Sequence, residues 1–201
     1  MHAPHEAEPV AEWLTSLGWQ ARIVRYPVES KHPAPLNAVR EAIAAERASG
    51  ATTVGVLGFS AGGHLAGHAA LATDSAPDQR PDFAVLAYPV TSMLVAPHVG
   101  SRTVLVGADE ELAARVSLPQ LVGRQAPPMF LWHTVRDPVV SVQHSYLLAQ
   151  ALATSGVAHE LHVFPGDVHG IGLAEGTHAA AWTSLCADWL ARRGSPESRP
   201  G

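Results

Sequence analysis

Residues 52–71 read TTVGVLGFSAGGHLAGHAAL, and the fold turns on how that stretch is read. Residues 52–59 form a short run that is almost wholly apolar, the pattern of a strand buried on both faces. Residues 61–72 are mostly small and apolar and read as a helix. Gly58-Phe59-Ser60-Ala61-Gly62 sits at the junction, a Gly-x-Ser-x-Gly motif between strand and helix. In that setting the turn strains the serine backbone and projects its hydroxyl at the strand tip, the geometry of a nucleophile elbow. Gly58 and Gly62 are expected to remove side chains that would collide there. The helix N-terminus favours developing negative charge, and the Ala61 N–H is expected to point where an oxyanion would form. A bare Gly-x-Ser-x-Gly also occurs as a glycine-rich turn with an incidental serine; the strand and helix around it carry the reading.

The same alternation continues on both sides. Residues 9–17 place Val10, Trp13, Leu14 and Leu17 on one helical face, and Gly18 stops that helix. Residues 20–28 (QARIVRYPV) read as a strand and 36–48 as a helix. DFAVLAY (82–88), MFLWH (129–133) and ELHVF (160–164) read as strands. Residues 139–155 and 179–192 read as helices. Alternating apolar strands and helices predict an α/β fold, a parallel sheet covered by helices on both faces. Residues 90–127 are less regular, with Asp109, Glu110 and Glu111 at a helix start, and suit an excursion over the edge of the sheet where ligands bind. Residues 1–192 read as one domain, and the polar tail 193–201 as frayed.

Composition narrows the function. A chain of 201 residues buries roughly 70% of its unfolded surface and needs no metal or disulfide to hold a core. The net charge of −5 and the scattered basic residues give no general attraction for nucleic acid or anionic membrane. The single cysteine, Cys186, excludes an internal disulfide. No apolar run is long enough to span a membrane, and MHAPHEAEPVAEWL lacks the marks of a signal peptide, so the cytoplasm is the default location.

A serine nucleophile needs a base, and the base needs an orienting carboxylate. For an elbow of this kind the chain order is serine, acid, histidine, each after a later strand. Asp137 lies just beyond MFLWH, in Arg136-Asp137-Pro138-Val139-Val140. Its plainer reading is a helix cap. His169 lies beyond ELHVF, in Phe164-Pro165-Gly166-Asp167-Val168-His169-Gly170, and alone among the 12 histidines combines late position, strand tip and flanking glycine. His133, His144, His159 and His162 read as structural, with His133 close enough to the acid to sit beside it. His64 and His68 share a helix face at i, i+4, but no zinc-protease pattern accompanies them. Metal ligands are not expected.

The runs GVLGFSAGGHLAGHAAL, RPDFAVLAYPVTSM, PPMFLWHTVRDPVV and ELHVFPGDVHGIGLA resemble an α/β-hydrolase, most closely the acetyl-xylan esterase-like carboxylesterases. The resemblance covers nearly the whole chain. It implies Ser60 as nucleophile, Asp137 as acid and His169 as base, a small-molecule ester substrate, and no metal or cofactor. A peptidase of the prolyl-oligopeptidase type and a non-catalytic binding relic are the rival readings. The resemblance also implies a strand and a Gly-Gly-Gly-Tyr-type loop ahead of the first helix, with the strand lying between residues 20–28 and 52–59. The loop would supply a second oxyanion donor, worth ~10²–10³ in rate. This sequence carries no such segment, so the expected fold is N-terminally truncated, with a gap or a direct pairing at that seam. An internal methionine taken as the start is the preferred explanation; an inactive truncation and a strand supplied by a partner are the others.

Overall fold

The computed structural model describes residues 4–194, so residues 195–201 of the expected tail lie outside the described residues. A 3-10 turn (Pro4–Glu6) leads into helix α1 (Glu8–Ser16), then α2 (Ala34–Ala48), strand β1 (Gly55–Phe59), α3 (Ser60–Leu71) and β2 (Phe83–Ala87). Next come α4 (Val99–Leu105), α5 (Glu110–Arg115), α6 (Leu118–Leu121), β3 (Met129–Thr134), α7 (Gln143–Thr154), β4 (His159–Phe164) and α8 (Trp182–Gly194). The last helix thus takes in Arg193 and Gly194, beyond its expected end at 192.

The four strands form one parallel sheet in the order β1-β2-β3-β4. Its registers pair Gly58 with Leu86, Leu86 with Leu131 and Leu131 with Leu161. Side chains alternate between two faces, as the pleat requires. Phe83, Val85 and Ala87 with Phe130 and Trp132 meet Val10 of α1 and Trp182, Cys186, Trp189 and Leu190 of α8. Ala84 and Leu86 with Met129 and Leu131 meet Ala66 and Leu71 of α3, Leu118 of α6, and Leu148 and Leu152 of α7. The connections through α3, α6 and α7 all step the same way across the sheet. Crossovers of one hand therefore put those helices on one face. The other face is left to α1 and α8, which join no two neighbouring strands. Helix α2 packs outside α3, Leu36, Val39 and Ile43 against Leu65 and Ala69.

Residues 20–28 do not form the expected strand. They run without regular structure between α1 and α2. Val24 and Tyr26 pack into the cluster shared by α2 and α3, while Ile23 and Val28 are 41% and 38% exposed. The reason is the lack of a neighbour: a strand exists only through its ladder. Strand β1 pairs with β2 along one edge, and among the described residues no strand pairs with its other edge. The seam is a gap, and not a direct pairing of 20–28 with β1. Burial follows: β2 and β3 are buried throughout, whereas the first three residues of β1 are only half-buried.

Two buried histidines tie the excursion over residues 90–127 to the body, and a third packs beside them. His144 Nδ1 accepts the N–H groups of Thr91 and Ser92 at 2.9 and 3.1 Å. His64 Nε2 donates to the Val116 carbonyl at 2.8 Å. His68 lies between the rings of His64 and His32, with centroids 5.8 and 5.2 Å away. Burial pushes His64 and His144 down from 6.5 to about 4. Burial, then the charges of His64, His32 and Arg40, push His68 down to about 3. Between those values and pH 6.5 the unfolded chain binds more protons than the folded one. Their contribution is thus complete above about pH 6.5 and is lost as the pH falls towards 4. Urea unfolding should show a stability that falls steadily from pH 7 to pH 4.5, by about 1 kcal/mol or more for each ring. His144→Gln, which keeps a hydrogen-bonding side chain without the titration, should flatten part of that slope.

Candidate active site

Ser60 is the first residue of α3 and has a φ of 52°, in the left-handed region that a side chain makes costly. The turn there is too tight for a side chain at Gly58: an added Cβ would stand 2.2 Å from the Gly62 carbonyl oxygen and 2.9 Å from the Gly63 nitrogen. Gly62 differs from expectation. A Cβ on it meets only the Tyr26 hydroxyl, at 3.5 Å. The second crowded glycine is Gly63, where a Cβ would fall 2.9 Å from Pro89 Cβ and 3.2 Å from the Gly58 carbonyl oxygen. The difference arises because Gly62 faces outward from the helix start while Gly63 faces the exit of β2. Ala61, the second residue of α3, has an N–H with no acceptor inside the helix.

Strand β3 ends at Thr134, and the turn after it carries Asp137. Its Oδ1 accepts the N–H groups of Val139 and Val140 at 2.8 and 2.9 Å. This capped turn delays α7 to Gln143, four residues after the expected start. Asp137 Oδ2 lies 2.6 Å from His169 Nδ1, and His169 Nε2 lies 2.9 Å from Ser60 Oγ. His169 stands on the loop after β4, whose Val168 carbonyl accepts from Thr134 Oγ1 at 2.8 Å. The three residues singled out in the sequence are therefore brought together in one line of hydrogen bonds. Burial pushes the Asp137 carboxyl up. The donors His133, His169, Val140 and Val139 outweigh it and hold the group below the usual carboxylate range. With a proton on His169 Nδ1 held by that carboxylate, Nε2 is left to accept from the serine hydroxyl.

The other residues noted in the sequence stand outside this line, His133 directly beside it. His133 is fully buried, its Nε2 2.9 Å from the Val140 carbonyl and 3.5 Å from Asp137 Oδ2, its Nδ1 2.8 Å from Ser145 Oγ. Asp109 caps α5 by accepting from Leu112 N–H, and Glu110 and Glu111 follow on its first turn. Cys186 is buried against Trp189 and its neighbours, and burial pushes its thiol up. Among the described residues no group of three or more His, Cys, Asp or Glu side chains could hold a metal ion.

Two residues near the line were not singled out. Tyr88 follows β2 with a φ of 36°, and its ring lies edge-to-face with that of His169, centroids 4.8 Å apart. Glu6 accepts from its hydroxyl at 2.7 Å. The one sequence signal was that Tyr88 directly ends an apolar strand, where residues face the ligand edge of a parallel sheet.

Gly58→Ala should destabilise the fold by roughly 3 kcal/mol, since backbone on both sides must move. Gly62→Ala should be neutral or stabilising by up to ~1 kcal/mol, as alanine suits a helix better than glycine. Thermal unfolding of the two variants side by side checks the contrast.

Residues 34–195 match the model of the prolyl oligopeptidase family. Endo-1,4-beta-xylanase B of Butyrivibrio fibrisolvens is 31% identical, over 91% of this chain and 32% of that protein. The acetylxylan esterase of Xylanibacter ruminicola is 28% identical, over 84% of this chain and 38% of its own length. The chain spans about a third of the length of these curated relatives. The crystal structure of an acetyl ester-xyloside bifunctional hydrolase from Caldicellulosiruptor lactoaceticus superposes with a TM-score of 0.89 at 40% identity, covering 95% of this chain and 78% of that one. The family match takes in most of the sequence, the elbow and both strand-tip loops included, and the parallel sheet agrees with it: the chain belongs to the prolyl oligopeptidase family of α/β-hydrolases.

Proposed function

We propose that the chain is a serine hydrolase of carboxylic esters, acting on short acyl, acetyl-type esters of sugars or small alcohols. The observation that carries this is the line Asp137–His169–Ser60, with contacts of 2.6 and 2.9 Å at the C-terminal ends of β3, β4 and β1. The choice of esters is supported by the relatives, one an acetylxylan esterase and one an acetyl ester-xyloside hydrolase.

In the first half-reaction Ser60 Oγ attacks the ester carbonyl carbon as its proton passes to His169 Nε2. The carbonyl oxygen takes up the negative charge, and the Ala61 N–H stabilises it together with the positive end of α3. The C–O bond to the alcohol breaks, and His169 returns its proton to the leaving alkoxide. Water then attacks the acyl-serine, giving its proton to His169, and the carboxylic acid leaves as Ser60 recovers its proton. Asp137 holds the imidazole in the right tautomer and stabilises the imidazolium in both halves. The carboxylate is already ionised and fully hydrogen-bonded, so little reorganises as the charge appears.

The second reading, cleavage of peptide bonds, is favoured by the family's description. A panel of p-nitrophenyl acetate, butyrate and octanoate against aminoacyl p-nitroanilides separates the two. Acetate should turn over fastest and the anilides not at all. Ser60→Ala should lower ester turnover to background and abolish labelling by a fluorophosphonate probe. Asp137→Asn should lower kcat by about 10⁴ through the wrong imidazole tautomer. Full turnover in Ser60→Ala would end the proposal.

A further inference from the structure

The loop that carries His169 contains glycines at 166, 170, 172 and 176, all with positive φ. Glycine-rich chain of this kind has little stiffness of its own. A general base must nevertheless hold its ring within a fraction of an ångström of the working position. Asp137 fixes one ring nitrogen, and Thr134 holds the carbonyl just before the histidine. The segment just after it is held by residues that lie far away in the sequence.

Tyr88 is fully buried at the tip of β2, the strand between those bearing Ser60 and Asp137. Its hydroxyl donates to Glu6 Oε1 at 2.7 Å and accepts the Gly172 N–H at 3.1 Å. Trp182 Nε1 donates to the Gly172 carbonyl at 3.1 Å, so both polar groups of that residue are engaged. His5 Nε2 bonds the Gly170 carbonyl at 2.7 Å. The His5 carbonyl oxygen packs so closely on Gly172 that an added Cβ would stand 2.4 Å from it. The 3-10 turn Pro4–Glu6 thus closes over residues 170–172 from outside, and Tyr88 supports them from beneath. The Tyr88 backbone accepts a φ of 36° in this place, a cost for a bulky residue that surrounding structure must sustain.

The geometry points to Glu6 and Tyr88 as positioning residues for the general base. Glu6 accepts the hydrogen bond of the phenolic O–H, which orients the hydroxyl so that its oxygen receives the Gly172 N–H. The ring is thereby held edge-to-face with His169 and keeps Nε2 in reach of Ser60. Burial and the Glu6 carboxylate push the phenol well above its ordinary range, so it stays a donor throughout the working pH range. A bond from a neutral hydroxyl to a carboxylate is of the stronger, charge-assisted kind. This assignment rests on the reading of Ser60, Asp137 and His169 as a triad.

Tyr88→Phe, Glu6→Ala and Glu6→Gln decide it, each measured for p-nitrophenyl acetate turnover, thermal midpoint and rate of fluorophosphonate labelling. A misplaced base should lower kcat by about 10- to 100-fold in Tyr88→Phe and Glu6→Ala with KM within twofold. Labelling should slow by the same factor. Glu6→Gln keeps an acceptor oxygen and should restore most of the rate. If wild-type protein is not labelled, or Ser60→Ala labels equally, the triad reading fails. If wild type is labelled and both variants label and turn over within twofold of it, the triad stands and the positioning role is overturned. A rate loss in Glu6→Gln as large as that in Glu6→Ala would also overturn it. Should Tyr88→Phe not fold, the two substitutions at the half-buried Glu6 are sufficient to decide between these outcomes.

Discussion

Strand β1 and helix α3 approach each other so closely at Ser60 that backbone almost touches backbone. The space a methyl group would need at Gly58 is occupied by the Gly62 carbonyl, and at Gly63 by Pro89. A serine in the left-handed region makes this reversal without an intervening loop. It also aims the Ser60 carbonyl back at the sheet, where it accepts the Val90 N–H at 3.1 Å. The exit of β2 is thus tied to the residue that follows β1. Loosening the turn would shift the serine hydroxyl, the start of α3 and the Tyr88–Val90 segment together.

The sheet then acts as a ruler. Parallel strands in register end on one edge, so residues just past β1, β3 and β4 emerge side by side although 109 and 32 positions separate His169 from Ser60 and Asp137. From β1 to β4 is three strand spacings, about 14 Å. The chain after β4 stays beside the end of β3, the Gly166 carbonyl accepting from Arg136 N–H at 2.9 Å and the Val168 carbonyl from Thr134 Oγ1 at 2.8 Å, and the His169 side chain reaches from there to Ser60. The imidazole lies over the tip of β2, where the Tyr88 ring meets it edge-to-face.

Where the sequence alone succeeded, the signal was local. Apolar runs marked β1 to β4 to within a few residues, and the order serine, aspartate, histidine past successive strands located three side chains that meet. Residues 20–28 failed because a run rich in apolar and β-branched residues is insufficient: a strand also needs a neighbour, and which strands are neighbours is not written in any one of them. Gly62 failed for a related reason. The motif names two glycines, yet the steric demand fell on Gly58 and Gly63, and only the packing of Pro89 against the helix reveals it. Glu6 and Tyr88 carry no motif. They are 82 residues apart, and their bond depends on a 3-10 turn and a strand tip meeting over a loop.

Asp137 lies between two histidines, and their difference explains how the work divides. The carboxylate has four acceptor positions, and four donors occupy or approach them: Val139 and Val140 on Oδ1, His169 and His133 on Oδ2. Burying an ionised carboxyl is costly unless every acceptor is met, and here donors outweigh burial. His133 is fully buried, with Nδ1 at Ser145 Oγ and Nε2 at the Val140 carbonyl. His169 has the other nitrogen directed at a hydroxyl and its side chain is 14% exposed. One aspartate is therefore met by donors on both oxygens and still holds the imidazole that faces Ser60. The fully buried histidine fills out the carboxylate's acceptors, and the half-buried one faces the Ser60 hydroxyl.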